Sequence, residues 1–244
     1  MAVSRVTRSV LRLLLLQSSW TYERMQGVGI AFASLPLLEP LRDDPARHRE
    51  AVGRSTEFFN AHPYLAGIAA GAAARAEVDG VAGATIQRLK TALAGPLGSL
   101  GDQLFWIGVV PGVMAVMLLA VGLGAGWPAA AVGLGLYLAV RIAVTAWGAA
   151  LGYRSGLGVA AALKASRLDD QVRRVGLGAG LLVGLAVPIV GRWLAGGHPA
   201  ELAALALGGA GGVWAALVRS RIPGARLLTL VAMAIIILWH WSTS

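Results

Sequence analysis

Between Thr91 and Val140 the chain carries a single charged side chain, Asp102. A soluble domain spreads charge over about a quarter of its residues. A run this long with one carboxylate therefore folds where water is scarce, and backbone amides without water must be paired internally. Such runs recur. Residues 104–124, 129–150, 175–195, 200–218 and 226–241 read as spans of roughly 16–22 residues, long enough for helices that cross a bilayer. With 57% hydrophobic and 14% charged residues among 244, the chain is predicted to be an all-α membrane protein. The expected architecture is a multi-helix transmembrane bundle with re-entrant or broken elements and an amphipathic N-terminal helix.

Two regions follow from the pattern. Residues 1–101 alternate polar and apolar stretches, and 102–244 hold the spans. The net charge of +9 comes from 21 Lys+Arg against 12 Asp+Glu. The arginines lie in short blocks beside apolar runs, which suits lipid headgroups and positive-inside topology better than nucleic acid. The connections "GLGAGWP" and "GGHPAE" lack Lys and Arg, whereas residues 153–174 and "RSRIPGAR" are rich in them. This alternation puts the basic loops and most of residues 1–90 on the cytoplasmic side, and the C-terminal "WHWSTS" outside. At the start, Arg5, Arg8 and Arg12 fall on one helical face, so the segment reads as a retained helix on the membrane surface and not as a signal peptide. The stretch "HPYLAGIAAGAAARAE" is apolar but too short to span, so it is expected to be re-entrant or buried. Small residues in "GLGAGLLVGLAVPIVG" and "LALGGAGGVWAAL" permit close helix packing in lipid.

Three stretches are candidates for chemistry. "GPLGSLGDQLFW" combines glycines, a proline and Asp102, and reads as a bend at the mouth of the first span. Asp102 there either caps the helix that follows, accepting its free amides, or contacts a substrate or partner, as intramembrane acids commonly do. "EFFNAHPYLAG" sets Asn60 and His62 among aromatic rings. An amide and an imidazole beside ring faces suit a neutral polyol, and equally suit a helix stop. In "QSSWTYERMQGVG", Glu23 and Arg24 form a surface ion pair or a partner contact. Arg141, inside the second span, either snorkels or neutralises an acid such as Asp102.

Catalytic signatures are missing. The absence of cysteine excludes disulfides, thiolate nucleophiles and cysteine–zinc sites. His48, His62, His198 and His240 are scattered, so no metal or cofactor is expected. Ser99 in "LGSLG" is a faint candidate for an intramembrane serine hydrolase.

In order, "LLLLQSSWTYERMQGVGIAFASLPLL", "EFFNAHPYLAGIAAG" and "LKTALAGPLGSLGDQLFW" resemble the IID subunit of the mannose/fructose/sorbose family of sugar phosphotransferase systems. The family pattern has W-x-Y-E-R-M-Q, F-F-N-T-H-P and G-P-L-A-G-I-G-D-S-L-F-W blocks, and the match covers roughly residues 10–110. The resemblance implies a multi-pass subunit of the bacterial cytoplasmic membrane. It implies a IIC membrane partner that shares a path for a hexose-type sugar, and separate IIA and IIB proteins that supply the phosphoryl group. Glu23, Asn60, His62, Asp102 and Gln103 are then the expected substrate-binding residues, and the chain needs no nucleophile of its own. Departures from the pattern include Ala61 for Thr, Gln103 for Ser, and Ile107-Gly108 for Gly-Thr. A non-transporting scaffold or regulatory subunit is the alternative.

Overall fold

The computed structural model describes residues 2–194. The described residues form helices and turns, with no strand beyond two isolated bridges. In order these are α1 (Ala2–Leu13), α2 (Gly27–Ser34), α3 (Pro45–Ser55), α4 (Ala66–Val78), α5 (Gly83–Asp102), a π-helical segment Gln103–Val109, α6 (Val110–Gly122), α7 (Trp127–Ser155), α8 (Val159–Ala165) and α9 (Leu168–Leu194). Three helical runs are long and apolar enough to cross a membrane: Gly83–Gly122, Trp127–Ala165 and Leu168–Gly191. They contain most of the expected spans 104–124, 129–150 and 175–195. The expected spans 200–218 and 226–241 lie outside the described residues.

The described helices fall into two compact units, residues 2–103 with 138–171, and 104–137 with 172–194. In the first, α1 packs against α2 and buries Val10 and Leu13, Leu13 reaching Gly67 of α4, while Leu16 lies against Gly29 of α2. The arginine row of α1 is engaged by protein as well. Arg8 donates to both carboxylate oxygens of Glu39 at 2.7 and 2.9 Å, and Arg5 to Oε2 at 3.3 Å. Arg12 donates to the Phe32 carbonyl at 2.9 Å and lies 4.5 Å from the centre of that ring. The N-terminal helix is amphipathic as predicted, but much of both faces is occupied by the chain itself.

Helix α3 starts where Pro45 fixes the first turn and the Asp44 side chain accepts the Arg47 amide at 3.1 Å. Helix α4 is almost wholly alanine and glycine on its buried faces, and a helix apolar all round is one that is covered. Gly71 of α4 meets the Ala149 carbonyl of α7, where an added Cβ would lie 2.6 Å from the oxygen, and Gly152 of α7 lies against Ile68. The two backbones thus approach through small residues four positions apart on each helix, Gly67 and Gly71 on α4 and Gly148 and Gly152 on α7. At the far side of α4, Glu77 accepts a two-pronged pair from Arg54 of α3, at 2.7 Å on each oxygen, and Lys90 of α5 donates to the Arg54 carbonyl at 2.6 Å. Glu77 and Lys90 are both buried. Their charges are tolerated because every partner is in place.

In the second unit the small residues of α6 and α9 meet. Gly112 faces Ala179, and Gly122 lies against the Ile189 side chain. Gly112 and Ala115 of α6 are buried, Met114, Val116 and Leu118 are exposed, and its remaining residues are half-buried.

One expectation is overturned. "GPLGSLGDQLFW" is not a break: Pro96 lies inside α5, Asp102 is the last residue of α5, and helical winding continues as π turns. Asp102 therefore caps no helix start. The reason is that amides in apolar surroundings are best satisfied by staying helical, even through proline and glycine. The π turns precede Pro111, which has no N–H for the usual helical bond, and the wider turn accommodates the change of register. Gly101 serves another purpose, described next.

Candidate functional site

The first block makes a tight turn ahead of α2. Met25 donates to the Thr21 carbonyl at 2.8 Å and Thr21 to the Met25 carbonyl at 3.3 Å. Closing that turn holds Met25 at φ 50°, a left-handed conformation that side chains other than glycine rarely adopt. Trp20 and Tyr22 meet edge to face at 4.9 Å, and Tyr22 is exposed. Glu23 and Arg24 also lie on the exposed surface of the turn.

The second block runs alongside. Gln26 donates its backbone N–H to the Phe59 carbonyl at 2.9 Å, and Phe59 donates to the Arg24 carbonyl at 3.4 Å. The Gln26 side chain, itself buried, adds two bonds. Its amide nitrogen donates to the Ala61 carbonyl, and its oxygen accepts the Ala61 N–H at 3.4 Å. Phe59 and Ala61 are buried while Asn60 between them is exposed. This places Asn60 and Glu23 on adjoining strips of exposed backbone.

His62, 2% exposed, turns inward. Its Nδ1 accepts the Tyr64 N–H at 3.3 Å, which leaves the ring proton on Nε2. Burial pushes its pKa down to about 4, against the opposing pull of the Asp102 charge. At working pH the imidazole is neutral. Tyr64 meets it edge to face at 4.9 Å. Arg141 sits 4.7 Å from the Tyr64 ring centre and donates to the Leu14 carbonyl at 3.0 Å. Among the described residues Arg141 pairs with no acid, Asp102 included: its charge meets a ring face and a carbonyl.

The third block closes over His62. Gly101 lies against the imidazole so closely that an added Cβ would collide with the ring, and a Cβ on Gly98 would come within 4.0 Å of the Ala61 Cα. Of the glycines in "GPLGSLGD", Gly101 is the one that makes room for the turn beneath it. Asp102 and Gln103 follow on the exposed side of the helix, where the Gln103 amide donates to Ser99 Oγ at 3.1 Å. Residues distant in sequence therefore converge: Glu23 and Asn60 across the backbone bridge, and His62 and Asp102 across Gly101. Sequence reasoning missed Gln26 and Tyr64 as organisers. Gln26 stood inside a matching block, but nothing in the sequence says that its amide would find the backbone of Ala61.

A small, partly open pocket beside Phe59, lined by Ile30, Ser55, Ala69 and Lys90 among others, has about 10 Å³ of free space. That holds roughly one water and no sugar. Among the described residues no three His, Asp or Glu side chains are placed to hold a metal ion.

The sequence profile of the IID component of the mannose/fructose/sorbose family of phosphotransferase systems matches residues 2–190. The chain belongs to this family. The mannose-specific EIID component of Escherichia coli strain K12 is 33% identical over 156 residues, 61% of this chain and 54% of that protein. The fructose permease IID component of Bacillus subtilis strain 168 is 29% identical over 159 residues, 63% of this chain and 58% of its own length. The sorbose-specific EIID component of Klebsiella pneumoniae is 31% identical over 154 residues. The matched stretch thus spans little more than half of these relatives. Among solved structures, a chain of the cryo-EM complex of the mannose transporter ManYZ with microcin E492 aligns over 99% of this IID chain with TM-score 0.57 and 22% identity. Another membrane protein structure aligns over 98% with TM-score 0.68. At that identity the likeness is one of fold, an all-helical membrane fold.

Proposed function

We propose that this IID chain is a membrane subunit of a phosphoenolpyruvate-dependent sugar permease. It forms the sugar path in the bacterial cytoplasmic membrane together with a IIC subunit, while IIA and IIB proteins deliver the phosphoryl group. The observation that supports this reading is the packing of the three family blocks against one another, the first bonded to the second through Gln26 and the third set against His62 at Gly101, with Glu23, Asn60, Asp102 and Gln103 each exposed. Glu23 offers two acceptor oxygens and Asn60 offers both kinds of group, the set that a neutral polyol needs. Asp102 and Gln103 extend the same set from α5. His62 is buried beneath them, so its contribution is to hold the surface in shape in its neutral form.

The test is uptake of radiolabelled mannose, fructose and sorbose by cells producing the full chain with its IIC, IIB and IIA partners. Asp102→Ala and His62→Ala are each expected to lower uptake about tenfold or more, with IIC still co-purifying. Unchanged uptake in both removes the site assignment. Assembly with IIC but no uptake of any sugar by the unaltered complex favours the scaffold role.

A further inference from the structure

The grip of Gln26 on the second block does more than stabilise a turn. Its backbone N–H binds the carbonyl of Phe59, and its side chain takes both polar groups of Ala61. Asn60 lies between those two residues, so it is held from both sides by one residue that it does not itself bond through any of these contacts. Phe59 and Ala61 are buried at 2% and 8% exposure, and Gln26 at 4%, so Asn60 alone of the triplet turns to the surface. Buried backbone N–H and C=O groups must be paired. Removing the Gln26 amide would orphan both groups of Ala61 at once, and the strip would relax by moving Asn60. Gln26 also ends the turn that carries Glu23, where Met25 is held at φ 50°. One side chain therefore fixes the spacing of two exposed polar groups that belong to different blocks.

We infer that Gln26 is a positioning residue for sugar selection: it presents Asn60 at a fixed place relative to Glu23, without touching the sugar. The inference rests on the reading of Asn60 as a sugar contact. A polyol is recognised by hydrogen bonds whose donors and acceptors must match the spacing of its hydroxyls, and displacement of about 1 Å at a positioned group costs large factors. The departure at Ala61 gives this grip particular weight, because the hydroxyl of the family's usual threonine is absent and the strip loses one further means of attachment.

The experiment uses the full chain assembled with its permease partners and radiolabelled mannose, fructose and sorbose. Gln26→Leu keeps most of the side-chain volume and removes both bonds, and Gln26→Met serves as a second replacement should leucine hinder assembly. The half-saturating sugar concentration is expected to rise roughly tenfold while the maximal rate changes about twofold at most. In an Asn60→Ala background the same replacement is expected to add less than about twofold, because Gln26 acts through Asn60. Multiplying effects in the double variant, or an unchanged half-saturating concentration in the single one, overturn the inference. Hydrogen exchange at the Ala61 amide is read in parallel and needs no sugar. Faster exchange in Gln26→Leu supports the grip, and unchanged exchange overturns it. Failure of the unaltered complex to take up any sugar would instead overturn the permease reading, leaving the exchange result to judge the grip alone.

Discussion

Helices α4 and α6 are each 13 residues long and mostly apolar, α4 carrying only Arg75 and Glu77 as charges, yet they live in different surroundings. Eleven residues of α4 are buried within its unit, whereas α6 buries only Gly112 and Ala115. Apolarity alone does not say what covers a helix. Length and continuity do: α4 stops at Asp79 and is wrapped by its neighbours, while α6 continues the 40-residue run Gly83–Gly122 and leaves Met114, Val116 and Leu118 outward for lipid. The covered helix gains its stability from packing and close backbone contact. The outward one gains little from contact with other side chains, since lipid tails are equally apolar.

The largest effect that tests this contrast is expected at Gly71. A leucine there would drive into the Ala149 carbonyl and the Tyr153 amide, and the chain should fail to accumulate in membranes. Ile68→Ala, at a fully buried α4 position, should cost about 2–4 kcal/mol. The same truncation at Leu118 of α6 should lie near zero in a bilayer. Equal losses in thermal unfolding of Ile68→Ala and Leu118→Ala would break the comparison.

A second effect sharpens it from within the covered unit. The His62 pKa of about 4 lies below its ordinary value of 6.5 because burial disfavours the charged ring. The unfolded chain therefore takes up the proton first. The stability linked to this ring is fully present above pH 6.5 and is lost as pH falls toward 4, by about 3 kcal/mol at most. Unfolding followed between pH 7 and pH 4 should show this loss, and His62→Gln should flatten it. Parallel curves for the two proteins would place the acid sensitivity elsewhere.

The smallest effect is expected at Glu39. The carboxylate is held below the usual range, mainly by its hydrogen bond from Arg8, but the pair sits at the surface and is screened by salt. Glu39→Gln should move the melting temperature by no more than replicate scatter. A large shift would mean that α1 depends on its arginines more than on Val10 and Leu13.

The sequence revealed the apolar runs because they are marked by what they lack: between Thr91 and Val140 nothing but Asp102 carries charge. The three blocks likewise announced the family and the residues worth watching. The reading went astray where one residue type serves two purposes. Gly101 looked like a place for the chain to turn, whereas it is a place for another segment to approach. That distinction rests on His62, which is distant in sequence. The same holds for Gln26, whose partner is a backbone that any residue would supply.

Arg141 lies within the apolar run Trp127–Ala165 and meets the Leu14 carbonyl and the Tyr64 ring. Both partners precede it in the chain. Synthesis proceeds from the N-terminus, so the acceptors for this cation are made before the cation itself leaves the ribosome. A charge that would be costly to leave alone in lipid arrives after its partners have been made, and the order of the gene becomes part of how the membrane helix is assembled.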